Sequence, residues 1–109
     1  MKTPHEQYLE RLVSRLDEIG EEPKNIAWIM KEGIWFRNNC QQISMPDIIA
    51  CYRNKDFLVA ELKGSRKKRE KARYQIDCGV RFVELNLKFN RIFKKFVVYD
   101  QGSYSWERL

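Results

Sequence analysis

The chain has 109 residues, 43% of them hydrophobic and 33% charged, and carries a formal net charge of +6. That length fits a single domain, the composition is that of a folded globular protein, and no apolar run approaches the roughly 20 residues that cross a bilayer. Three widely spaced cysteines (Cys40, Cys51, Cys78) and a single histidine, His5, argue against a disulfide framework and against a Cys/His zinc site. Any metal is therefore expected on carboxylates and water, a donor set suited to Mg²⁺ or Mn²⁺.

Residues 1–10 are polar and charged and do not read as a signal peptide, so a cytoplasmic location is expected. Residues 4–19 have helical periodicity, with Tyr8, Leu9, Leu12, Val13, Leu16 and Ile19 on one stripe. Thr3-Pro4 is a start signal and Gly20 a stop. His5 has no partner in the sequence and is expected on the surface or on a helix face. From Pro23 the spacing of Ile26, Ile29 and Met30 predicts a second, short helix ending at Gly33. A hairpin turning at Lys31-Glu32-Gly33 is the alternative. Ile34–Arg37 is aromatic and β-branched, hence a strand, and residues 38–45 form a polar loop.

Residues 47–52 and 57–63 read as two strands joined by a turn at Arg53-Asn54-Lys55-Asp56. Both are nearly continuous in apolar residues, so both faces of the sheet should be covered. Gly64-Ser65 ends the second strand, and Ser65 can cap a helix over residues 66–89. That helix has two apolar faces. One carries Ala72, Ile76, Val80, Val83 and Leu87, and the other Tyr74, Cys78, Phe82, Leu85 and Phe89. The second face needs a partner, for which another copy of the chain is a candidate. Residues 93–99 and 104–106 are the last strands, around a turn at 101–103. The cysteines, Trp28, Trp35 and Trp106 are expected in the core.

The chemistry concentrates on Pro46-Asp47 and, fourteen residues later, Glu61-Leu62-Lys63. On an antiparallel hairpin, Asp47 at the start of one strand lies beside Glu61 near the end of the other. Alternation puts Glu61 and Lys63 on one face. Paired carboxylates, with the Leu62 backbone carbonyl, can hold a divalent ion that acidifies water and polarises a phosphodiester. Lys63 can orient the attacking water and stabilise the transition state. The basic run that follows, Arg66, Lys67, Lys68, Arg69, Lys71 and Arg73, suits a nucleic-acid backbone.

Pro46–Ala50 followed by Phe57–Ser65 resembles the PD-(D/E)XK nuclease superfamily, and within it the cellular and viral Holliday-junction resolvases of archaea. Gly33–Arg37 looks like the family's first core strand, Arg73-Tyr74-Gln75 like the part of its second helix that brings a Gln near the active site, and Phe96–Tyr99 like its fourth core strand. The likeness covers roughly residues 22–109 as a catalytic core, with residues 1–20 as a preceding helix. The VRR-NUC branch of the superfamily is a near competitor.

The resemblance implies an α/β, restriction-endonuclease-like core, with a mixed four- to five-stranded sheet flanked by helices. It implies a Mg²⁺- or Mn²⁺-dependent endonuclease, a homodimer acting on branched DNA, with neither membrane nor small-molecule substrate. It implies Gln75 as a helper of the catalytic group. It also implies DNA contacts from Arg37 and from the loop with Gln41, Gln42 and Ser44. The family's first-helix carboxylate falls on Glu22 by spacing from Gly33, or on Glu10 if residues 4–19 are the equivalent helix. Two other functions compete: a different nuclease of the superfamily (nick, flap or restriction-like), and a binding-only protein of the same fold. Retention of Asp47, Glu61 and Lys63 together argues against the latter.

Overall fold

The computed structural model describes residues 1–31 and 45–109. The expected strand at 34–37, Trp35, Arg37, Cys40, Gln41, Gln42 and Ser44 lie outside the described residues.

Helix α1 spans Pro4–Ser14. The Thr3 hydroxyl accepts the Glu6 N–H at 3.1 Å, and Pro4 occupies the first turn, where its missing N–H costs nothing. The helix breaks at Arg15, earlier than its apolar stripe, and Leu16–Ile19 continues as a 3₁₀ turn. Gly20 closes it at φ 81°, in the left-handed region that a side chain disfavours.

Five strands follow: β1 Ile26–Lys31, β2 Ile48–Tyr52, β3 Phe57–Lys63, β4 Ile92–Asp100 and β5 Ser103–Arg108. Among the described residues they form one mixed sheet in the order β1-β2-β3-β4-β5. The β3–β4 pair is parallel and the other pairs are antiparallel. Between β3 and β4 runs the crossover, a 3₁₀ turn at Arg66–Lys68 and helix α2, Arg69–Asn86. The Ser65 hydroxyl accepts the Lys67 N–H at its start. The β4–β5 hairpin turns on Gln101 (φ 48°) and Gly102 (φ 80°), both at the positive φ that a two-residue turn of this hand requires.

The helix expected from Pro23 is not formed. Pro23–Asn25 is a single 3₁₀ turn, and Ile26–Lys31 is the edge strand β1, paired with β2. A register shift between Ile26 and Trp28 interrupts the alternation of side chains. With one residue inserted, Ile26, Ile29 and Met30 imitate helical spacing while lying on a strand.

Strand alternation sorts the core into two layers. Ile48, Ala50, Leu58, Ala60, Leu62 and Val97 pack under Leu9, Leu12, Leu16 and Ile19 of the N-terminal segment. Ile49, Phe57, Val59, Phe96 and Val98 pack under Ala72, Ile76 and Val83 of α2. Both faces of the sheet are thus covered. The outer face of α2 is not: Tyr74 is 62% exposed and Leu85 71%. Trp28 and Trp106 are also partly exposed rather than in the core. Trp106 lies over the Gly20 turn and under the Lys95 ammonium, 3.9 Å from its ring centre. No helix among the described residues is long and apolar enough to cross a membrane.

Candidate active site

Extending the β2–β3 register beyond Ile48–Ala60 sets Pro46 opposite Leu62. Pro46 has no N–H to give, so the ladder stops there. The Leu62 N–H turns instead to Asp47 Oδ2, at 2.9 Å. The Asp47 N–H reaches across to Glu61 Oε1, at 2.8 Å. The Leu62 carbonyl faces the same gap as its N–H, as an antiparallel strand requires. The Pro-Asp dipeptide thereby frees the end of the hairpin and bolts the two carboxylates together.

Lys63, two residues from Glu61 on the same face, places Nζ 3.0 Å from Glu61 Oε2. Asp47 and Glu61 are each only 2% exposed. Burial, and then the Asp47 carboxylate beside it, push the Glu61 carboxyl up to about 8 against the pull of Lys63. A carboxyl held that far above its ordinary value is poised to give up its proton to an arriving cation.

Gln75 lies one helical turn before Gly79 on α2. A Cβ on Gly79 would sit 2.5 Å from Pro46 Cγ and 2.9 Å from Val59 Cγ1, so the helix rides directly on Pro46 there. α2 runs antiparallel to β3, and one turn back (about 5.4 Å) carries Gln75 level with Glu61, two residues beyond Val59. Gln75 Oε1 is buried with no hydrogen-bond partner among the described residues. A buried acceptor of this kind calls for a donor, from water or from a ligand.

The remaining sequence candidates scatter. Glu22 is not brought to the site. It bonds Asn25 and lies beside Tyr52 at the opposite end of β2 from Asp47, about 17 Å of strand away. Glu10 is exposed and paired with Lys2 at 2.6 Å. Arg66, Lys67, Lys68, Lys71 and Arg73 are exposed around the start of α2, next to Lys63. Arg69 is diverted, with its guanidinium bonded to Glu107 of β5.

His5, expected on the surface or on a helix face, is brought to the site. Its Nε2 lies 3.2 Å from Asp47 Oδ1. The signal was present in the helical stripe: His5 precedes Tyr8, Leu9 and Leu12 at spacings of three, four and seven, which puts it on the face of α1 that packs inward.

Among the described residues no three His, Cys, Asp or Glu side chains are grouped as a metal cage. The donors that do converge are two carboxylates and a backbone carbonyl, all hard oxygens. That set fits Mg²⁺ or Mn²⁺, which take one or two carboxylates and fill the remaining positions with water or phosphate oxygens. No protein-family model, no curated protein and no solved structure matches this chain.

Proposed function

We propose that this protein is a divalent-metal-dependent endodeoxyribonuclease with a restriction-endonuclease-like core of the PD-(D/E)XK type. The observation that carries the reading is the junction of Asp47, Glu61 and Lys63 at the open end of the β2–β3 hairpin, each held by a specific bond. At the level of an α/β fold with a mixed five-stranded sheet among the described residues, the helix, antiparallel strands, crossover helix and parallel strand are compatible with this reading. The segment 33–37, which resembles the family's first core strand, lies outside the described residues.

Asp47, Glu61 and the Leu62 carbonyl would hold the ion, which supplies Lewis-acid polarisation of the scissile phosphate and an acidified water. Lys63 stands on Glu61, placed to orient that water and to meet negative charge developing on the phosphoryl oxygens. Gln75 offers an acceptor at the same level. The exposed cations at the start of α2 lie beside this group and would track the DNA backbone. Branched DNA, with a four-way junction as the leading substrate, follows from the resemblance. A homodimer follows from the resemblance and from the exposed apolar face of α2 around Tyr74 and Leu85.

A cleavage panel on four-way, flap, single-stranded and linear DNA with Mg²⁺ or Mn²⁺ tests the proposal. Cleavage that is lost in Asp47→Ala and Glu61→Ala, with salt-sensitive DNA binding retained, is the expected result. Full activity in either variant refutes the site. Equal cutting of junction and linear duplex refutes the junction preference and leaves the nuclease.

A further inference from the structure

We infer that His5 is a positioning residue for the Asp47 carboxylate, an inference that rests on the nuclease reading of the site. Asp47 Oδ2 accepts from the Leu62 N–H at 2.9 Å, a bond from the neighbouring strand. A donor on each oxygen fixes the plane of a carboxylate more firmly than a donor on one. The second hold comes from a different element, the Nε2 of His5 on α1, 3.2 Å from Oδ1. When Asp47 is a carboxylate it can only accept, and Nε2 is then the donor in this contact. With one donor on each oxygen the plane of the carboxylate is fixed, and the lone pairs left on it have fixed directions.

The imidazole is itself braced. Its ring meets Tyr99 of β4 edge-on, with centres 6.0 Å apart. Tyr99 is stacked on Tyr8 of α1 at 4.3 Å, nearly parallel at 18°. The Tyr99 hydroxyl lies close to Gly64, 3.2 Å from where a Cβ would stand. Gly64 follows Lys63 directly, so its missing side chain lets the Tyr99 ring close over the end of β3. α1, β4 and the end of β3 are thereby clamped around the Asp47 side chain. Through His5, α1 contacts the site although neither Glu10 nor Glu22 reaches it. His5 acts through Asp47, whose Oδ1 bonds its Nε2. Groups that hold a ligating carboxylate in this way commonly change metal affinity by about 10- to 100-fold when removed.

The test is Mn²⁺ alone, titrated into the full chain and followed by the loss of the free-ion electron-spin signal, with metal-free melting in parallel. His5→Ala removes the donor. His5→Gln places an amide N–H where Nε2 stood. We expect His5→Ala to weaken Mn²⁺ binding about tenfold and to lower metal-free melting while leaving the chain folded at the titration temperature, and His5→Gln to restore Mn²⁺ binding to within about threefold of the natural chain. Unaltered Mn²⁺ affinity in His5→Ala overturns the inference. So does a His5→Gln protein that folds normally yet binds as weakly as His5→Ala, because the donor at Nε2 is then not what matters. A natural chain that binds no Mn²⁺ refutes the nuclease reading itself, and this inference with it. Normal binding and cleavage in His5→Ala leaves the nuclease reading standing alone.

Discussion

Glu61→Gln separates the stability of the site from its function. In the metal-free protein the Glu61 carboxyl is raised from 4.5 to about 8, first by burial and then by Asp47. In the unfolded chain it ionises at its ordinary value. Between about pH 4.5 and 8 the folded state therefore holds a proton that the unfolded state has released, and stability falls as pH rises through that window. Below the window the Glu61 contribution is constant, and above it the full loss is in place. At 1.36 kcal/mol per tenfold change, the gap corresponds to a loss on the order of 5 kcal/mol by pH 8.5. Such a loss is large against a domain stability of about 5–15 kcal/mol. Gln remains neutral at every pH and keeps an oxygen for the Asp47 N–H, but it gives Lys63 no anion. Allowing for that, Glu61→Gln should exceed the natural chain by at least about 2 kcal/mol at pH 8.5, or roughly 8 °C in melting temperature. The difference should vanish near pH 4.5. The assay is thermal melting from pH 4.5 to 8.5 with a chelator, each variant against the natural chain. Adding Mn²⁺ should raise the natural chain at pH 8.5 and leave Glu61→Gln where it was. A natural chain no less stable at pH 8.5 than Glu61→Gln would refute the account of a strained, proton-holding carboxyl.

Three further outcomes follow from the packing and the charges. Gly79→Ala should destabilise by about 1 kcal/mol in urea unfolding, because overpacking against Pro46 and Val59 costs about 1–3 kcal/mol and better helix propensity returns about 1; a more stable variant would mean that α2 does not ride on Pro46. Lys95 is buried with its ammonium on Glu21 and the Ile19 carbonyl. Lys95→Met strands Glu21 and should cost about 3 kcal/mol in the same assay, whereas a neutral result would place the pair in water. Lys67→Ala and Lys68→Ala should each weaken DNA binding across all sequences and lower the salt slope by about one. An unchanged slope in both would move the DNA away from the start of α2.

Much of the molecule was legible in the sequence where the controlling physics is local. Thr3-Pro4, Gly20 and Ser65 mark their helix and turn ends through bonds made within a few residues. The bounds of β3 and its turn from β2 follow from apolar runs around Arg53–Asp56. The meeting of Asp47 with Glu61, and of Glu61 with Lys63, follows from hairpin register and an alternation of two. What sequence reading missed depends on partners far along the chain. β1 imitates a helix because its irregular register is imposed by pairing with β2, and local spacing does not record that pairing. Arg69 is taken out of the basic run by Glu107, 38 residues away. Glu22 is carried to the wrong end of β2 because the chain enters β1 there. His5 is brought to Asp47 across 42 residues, since the apolar stripe shows that α1 packs inward but not which strand end receives its first turn. Asp47, Glu61 and Lys63 were thus set by the sequence alone, whereas the group that holds Asp47 was decided only when α1 settled on the sheet.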